Sequence, residues 1–260
     1  MERKPRVGRG EFDVDLARQQ EAIDRYDEGR GLIGGDPNRR PGHVRWRPIP
    51  EEQPYFRLID VSEEKRARLD AFLHEEGNSE EPDRKKHSLE VEIGFGTGEF
   101  LLGRAAANAE RRFLGFEVKR DLCRGTIPQI QKQVLTNLWI CDDDARWALP
   151  QLDLAGRVDV IHILYPDPWW KRRHQVKRLF NLPFVELLHE LLTPGGLLHV
   201  RSDVEGYAGY IEQSVAEHGG FSDNDPTLAT FFDENPPTRR EAYCREIGRP
   251  FWVMCFAKRS

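Results

Sequence analysis

The 260-residue sequence predicts an α/β fold, a mostly parallel sheet with helices on both faces, preceded by a less regular arm. Three observations predict it. From Leu89 onward, short β-branched runs alternate with longer amphipathic stretches, the order that builds crossover units. A glycine-rich turn, Gly94-Phe95-Gly96-Thr97-Gly98, follows the first of those runs directly. The run from Val158 to Leu164 has the length and apolar content of a buried central strand, and it stops at Tyr165-Pro166-Asp167-Pro168, where two prolines forbid continued pairing.

Composition narrows the class. Charged residues make up 32% and hydrophobic residues 38%, an ordinary balance for a globular chain with a sizeable core. A net charge of -5 argues against coating nucleic acid by bulk charge, so any such contact must come from local patches. No apolar h-region follows Met1 and no apolar run is long enough for a bilayer, so a cytoplasmic protein without a membrane partner is expected. Cys123, Cys141, Cys244 and Cys255 lack C-x-x-C or zinc-like spacing, which predicts packed, reduced thiols and no metal site.

Residues 1–60, rich in Arg, Pro and Gly, read as an N-terminal arm with one helix from Asp15 to Tyr26. Its Arg39 to Arg47 segment mixes arginine with Trp46, which suits contact with RNA and equally suits an arm wrapped on its own domain. Residues 61–87 read as a capped amphipathic helix from Ser62 to Leu73 and a polar linker from Glu75 to His87. The main domain is then 88–260.

Within it, Leu89 to Ile93 is the first strand and Glu99 to Ala107 the helix after the glycine turn. The G-x-G-x-G spacing lacks the third glycine of the dinucleotide fingerprint and is weak evidence alone. It gains weight because a second strand, Phe113 to Val118, carries Glu117, placed to accept both hydroxyls of a ribose. The third strand, Leu138 to Cys141, delivers Asp142, Asp143 and Asp144 to the same edge, either to meet an adenine amino group or to cap a helix beginning near Ala145. Val158 to Leu164 is the fourth, and it thrusts Asp167 out at its carboxyl end, where open α/β sheets bind ligands.

After Asp167 come Trp169 and Trp170, then Lys171, Arg172, Arg173, His174, Lys177 and Arg178. A charge run is ordinarily a solvated face. Next to aromatic rings and a Pro-Asp-Pro corner, the same run matches what looped or single-stranded RNA asks for. Pro183 to Leu192 reads as a helix stopped by Thr193 to Gly196, Leu197 to Val200 as the fifth strand leading to Asp203, Tyr207 to His218 as a helix, and Phe251 to Ala257 as the last buried strand. Glu92 as a buried amide partner, Asp203 as a helix cap, and Thr238 with Glu241 as a capping box are local alternatives to site roles.

Taken together the residues resemble the bacterial tRNA (guanine-N7-)-methyltransferases. The resemblance rests on Glu92-Ile-Gly-Phe-Gly-Thr-Gly98, Gly115-Phe-Glu-Val118, Asp144-Ala145, Tyr165-Pro-Asp-Pro-Trp-Trp-Lys-Arg-Arg-His174, Pro194-Gly-Gly196, Ser202-Asp203 and Thr238-Arg-Arg-Glu241. It covers Leu89 to the C-terminus, and its Pro-Asp-Pro-Trp segment is far more specific than the glycine turn. It implies a Rossmann-like class I methyltransferase fold with a seven-stranded sheet, and transfer of a methyl group from S-adenosyl-L-methionine to N7 of a guanine in the tRNA variable loop, position forty-six. It implies that Glu92, Gly94, Gly96, Gly98, Glu117, Asp144 and Asp167 hold the cofactor, Asp167 being also catalytic. Lys171, Asp203, Thr238, Arg239, Arg240 and Glu241 would meet the guanine, with Trp169, Arg172, Arg173, His174, Lys177 and Arg178 as the RNA patch. The family often has an arginine two residues after the Glu of its T-x-x-E motif; here that place is Tyr243, with Arg245 a further two along.

Two other classes compete: a methyltransferase of this fold with another RNA, a protein or a small molecule as substrate, and an RNA-binding module without catalysis. The basic aromatic loop argues against a small-molecule or protein substrate, which has no need of it, and the intact Glu92, Glu117 and Asp167 argue against a module without catalysis. A monomer and a homodimer are both compatible with the sequence.

Overall fold

The computed structural model describes residues 49–74, 88–169 and 177–259. The expected arm helix from Asp15 to Tyr26, the Arg39 to Arg47 segment, the linker from Glu75 to His87, and Lys171 to His174 lie outside these residues.

Seven strands make one sheet: β1 (Tyr55–Phe56), β2 (Leu89–Ile93), β3 (Arg112–Phe116), β4 (Leu138–Cys141), β5 (Val158–Leu164), β6 (Leu192–Ser202) and β7 (Trp252–Ala257). Their spatial order is β1-β4-β3-β2-β5-β6-β7, and every pairing is parallel except that of β6 with β7. The chain runs from β2 out to β4 on one side, then returns across β2 to β5, so the order reverses between β2 and β5. That reversal is the switch point where open sheets leave a crevice at their carboxyl ends.

Seven helices accompany the strands among the described residues: α1 (Glu63–His74), α2 (Glu99–Ala107), α3 (Arg120–Lys132), α4 (Ala145–Ala148), α5 (Leu182–Leu191), α6 (Glu205–His218) and α7 (Arg239–Glu246). Local chemistry explains their ends. Asn181 caps α5 by accepting from Phe184 N at 3.1 Å, with Pro183 in the first turn, where its missing N–H costs nothing. Gly219, in left-handed backbone at φ 75°, ends α6.

Three elements differ from the sequence reading. β1 is two residues beside Pro54, too short to show a pattern, yet it pairs with Ile140 and Cys141 and buries Phe56 against Trp139. α3 carries Gly125 and Pro128, both helix breakers by rule, and is held because Cys123, Thr126, Ile127 and Ile130 bury one face. β6 begins at Leu192 rather than Leu197, with a register shift opposite Val158 to Val160 that carries the chain past Pro194, Gly195 and Gly196. β2 and β5 are buried along nearly their whole length, as strands covered on both faces must be. All four cysteines are buried and free. No described helix is long and apolar enough to cross a membrane.

Candidate active site

The carboxyl ends of β2, β3, β4, β5 and β6 bring Glu92, Glu117, Asp144, Asp167 and Asp203 to one edge of the sheet. At its centre the glycine turn leaves β2 with Gly94, Gly96 and Gly98 all in left-handed backbone, at φ 80°, 60° and 83°. A Cβ built on Gly94 or Gly96 would meet nothing within 4 Å. Conformation rather than crowding therefore demands glycine there, and open space lies over the turn. Gly94 N and Phe95 N both donate to Phe116 O, at 2.7 and 3.2 Å, which ties the turn to β3.

Glu117 completes that tie. One carboxylate oxygen accepts from Gly96 N at 3.0 Å and the other from Lys119 N at 2.9 Å. Two of its roughly four acceptor positions are then filled, leaving capacity for hydroxyl donors. Glu92 is different: it is 2% exposed, and its Oε2 has no hydrogen-bond partner. Burial first, then the charges of Glu99 and Glu117, push its carboxyl up to about 8. An unmatched buried acid between two other acids suits a ligand that brings a cation or a donor.

The three adjacent aspartates divide their work. Asp144 caps α4, accepting from Arg146 N at 3.0 Å, and also pairs with the Arg146 guanidinium. Asp142 lies 2.6 Å from Arg120 Nε and 2.9 Å from Arg57 Nε, the second an ion pair without hydrogen-bond alignment. Asp143 accepts from Leu58 N at 2.7 Å. Of the two sequence readings for Asp144, the capping one is seen directly.

β5 ends abruptly. Tyr165 and Trp169 both take positive φ, 56° and 43°, unusual for non-glycine residues and a mark of a tightly specified corner. Tyr165 N donates to Arg201 O at 2.7 Å, and the Asp167 side chain projects into solvent. Lys177 Nζ sits over the Trp169 ring, 5.0 Å from its centroid, so the structure brings these two sequence-predicted residues together. Arg178 corrects the sequence reading: it is 1% exposed, donates to Pro168 O at 2.9 Å and lies over Tyr207 and Tyr210. It braces the corner from inside and cannot serve as a surface phosphate contact.

Asp203 is engaged as well. Its Oδ2 accepts from Arg240 Nε at 3.1 Å and from Arg249 Nη1 at 3.2 Å. Burial alone would raise its carboxyl, but these hydrogen bonds outweigh it and hold the group below the usual range. Thr238 caps α7 by accepting from Glu241 N at 3.1 Å. Glu241 is 1% exposed and bound by both Arg201 and Arg245. This is the second correction: Glu241 is buried and faces inward, each carboxylate oxygen held by a guanidinium, rather than towards a substrate base.

Arg201 opens a polar network that the sequence reading missed. Its Nε donates to His199 Nε2 at 3.1 Å, which fixes the His199 proton on Nδ1. That proton is shared with His162 Nδ1 at 2.9 Å, and His162 Nε2 in turn donates to Glu90 at 3.1 Å. Arg104 grips Glu90 with two hydrogen bonds of 2.8 Å, and Arg111 adds another. Burial pushes both imidazoles down, so each is neutral with one proton, and every donor meets an acceptor. Burial also opposes ionisation of Glu90, but the hydrogen bonds from His162 and Arg104 hold it well below the usual range. The signal was present: His162 and His199 interrupt otherwise apolar strands and stand opposite one another in register.

No group of three or more His, Cys, Asp or Glu side chains suited to a metal occurs among the described residues. A family model described as "Putative methyltransferase" matches residues 86–254. A tRNA (guanine-N(7)-)-methyltransferase of Nitrosococcus oceani is 37% identical over 171 residues, 65% of this chain and 71% of that protein. One from Anaeromyxobacter dehalogenans is 38% identical over 180 residues, 65% of this chain and 85% of that protein. Among solved structures, the aminoglycoside resistance methyltransferase NpmB1 superposes with a TM-score of 0.51 at 16% identity, over 74% of this chain and 93% of that one, a shared class I fold.

Proposed function

We propose, from the premise that the chain belongs to the tRNA (guanine-N(7)-)-methyltransferase family, that it methylates N7 of a guanine in the tRNA variable loop, position forty-six, with S-adenosyl-L-methionine as donor. The observation that carries the cofactor assignment is Glu92, a buried carboxylate with an unmatched oxygen beside a glycine turn over open space. Those residues fit the group. Glu92 answers a positive charge, Glu117 has acceptor capacity for ribose hydroxyls, and Asp144 at the end of β4 is assigned to the adenine side. When bound, the cofactor supplies an electrophilic methyl group.

The chain's own residues then position and neutralise. Guanine N7 is an in-plane lone pair, unprotonated at neutral pH, so no side chain has to remove a proton before it attacks. Attack makes the base cationic, and preorganised carboxylates at its edge stabilise that charge. Asp167, at the corner of β5, is assigned this role because the described residues leave its side chain in solvent rather than in an internal ion pair. Asp203 is assigned to hydrogen-bond the guanine edge, which requires Arg240 and Arg249 to share or release it. An adenine would offer an acceptor where guanine N1 offers a donor, leaving a carboxylate unmatched at a cost of roughly 1–3 kcal/mol. Thr238, Arg239, Arg240 and Lys171 are assigned to the substrate side, and Trp169, Arg172, Arg173, His174 and Lys177 to the RNA patch.

Nucleoside mass spectrometry after incubating unmodified tRNA with the protein and cofactor tests this reading, with 7-methylguanosine at one variable-loop position as the expected product. Asp167→Asn should lower turnover by about a hundredfold at saturating cofactor and RNA, the effect of losing one preorganised electrostatic group. Methylation at another base, or near-normal turnover of that variant, would overturn the substrate or the role of Asp167 respectively.

A further inference from the structure

The outer face of α7 and the turn after it carries an apolar and cationic surface whose Tyr243 and Ile247 have no part in the roles above, beside the substrate-side Arg239 and Arg240. Tyr243, 45% exposed, holds the one exposed aromatic ring among the residues whose side chains are described, and Ile247, 48% exposed, follows one helical turn later. The Arg240 guanidinium lies over the Tyr243 ring, 5.6 Å from its centroid. From residue 239 to 249 the sequence holds Arg239, Arg240, Arg245 and Arg249 against two acids, Glu241 and Glu246. Glu241 is buried between Arg201 and Arg245, so Glu246 is the single acid this stretch turns to solvent. The surface is continuous with Asp203 at the end of β6 through Arg240 and Arg249.

We infer that Arg239, Arg240, Tyr243, Ile247 and Arg249 form a docking platform for single-stranded RNA, on which the unpaired nucleotide next to the target guanine stacks while the arginines take its phosphates. The inference rests on the tRNA reading above and extends it to the flanking nucleotide. An exposed ring with a guanidinium over it is the arrangement that receives a splayed base, because every base offers a π-face. Local cationic charge on a chain of net charge -5 is complementary to a phosphate backbone. Two apolar side chains are too few for a protein interface, which buries a far larger area.

Titrating an unmodified tRNA transcript into the wild-type protein, Tyr243→Ala and Tyr243→Phe, with cofactor affinity measured calorimetrically in parallel, tests the platform. Tyr243→Ala should weaken tRNA binding roughly tenfold, the lower range for loss of one stacked base. Tyr243→Phe should bind as the wild type does, and cofactor affinity should be the same in all three. Equal tRNA affinity in Tyr243→Ala would overturn the platform while leaving the tRNA reading intact. A loss as large in Tyr243→Phe would overturn stacking in favour of a hydroxyl contact. A drop in oligomeric state of Tyr243→Ala without change in RNA affinity would make the face an interface between copies of the chain. Failure of the wild-type protein to bind or methylate the transcript would instead overturn the tRNA reading.

Discussion

Glu92 shows how a single buried carboxyl couples binding to pH. Burial, and then the charges of Glu99 and Glu117, push its carboxyl up from 4.5 to about 8 in the folded chain. The native state thus keeps a proton that the unfolded chain gives up, and stability falls as pH rises from about 4.5 to about 8. At 1.36 kcal/mol per unit the ceiling on that loss is about 5 kcal/mol. Urea unfolding of the ligand-free protein should show lower stability at pH 9 than at pH 6, and Glu92→Gln should remove most of the difference. A cationic ligand reverses the balance by favouring the carboxylate, so cofactor binding should release a proton below pH 8, visible as a buffer-dependent calorimetric heat. A Glu92→Gln profile identical to wild type would place the pH response elsewhere. Residue identity at this edge was legible in the sequence, since each acid lies at or just after the end of a strand-like run. What each acid bonds to was not, because Arg57, Arg120, Arg240 and Arg249 reach Asp142 and Asp203 from distant parts of the chain.

At the scale of elements, α7 is held less by its own propensity than by its buried charge. Glu241 joins it to β6 through Arg201, and Arg201 continues through His199 and His162 to Glu90 on β2. Removing one partner from such a buried pair leaves the other uncompensated, at roughly 3–5 kcal/mol. Glu241→Gln should therefore lower the urea midpoint strongly, whereas Arg239→Ala, on the exposed side of the same helix, should leave it nearly unchanged and weaken RNA binding. A stable Glu241→Gln protein with poor guanine discrimination would return Glu241 to the substrate. The contrast explains which elements the sequence disclosed. β4 and β5 were readable to the residue because short, mostly apolar runs end sharply, β4 at Asp142 and β5 at Tyr165-Pro166. α3 was not, because Gly125 and Pro128 oppose a helix locally and only tertiary burial of Ile127 and Ile130 decides the matter. β1 depends on its partner: two residues acquire strand character only by pairing with β4.

Over the whole molecule, charge is segregated rather than abundant. With a net charge of -5, binding to a polyanion has to come from basic segments that outweigh a repulsive background, such as the stretches 171–177 and 239–249. Each phosphate neutralised releases condensed counterions, so the log-log dependence of tRNA affinity on salt counts such contacts. Lys171→Ala with Arg172→Ala should flatten that slope by about one to two units and leave cofactor affinity unchanged. Arg178 supplies the internal control. It belongs to the same basic run in sequence but is buried on Pro168 O and over Tyr207 and Tyr210, so Arg178→Met should lower the thermal midpoint. Measured well below that midpoint, its salt slope should match wild type. If Lys171 and Arg172 could be removed without changing the slope, that basic run would make no phosphate contacts, and the RNA would have to be held elsewhere, as by the arginines around α7. If Arg178→Met flattened the slope while staying fully folded, its guanidinium would have to leave the interior when RNA binds.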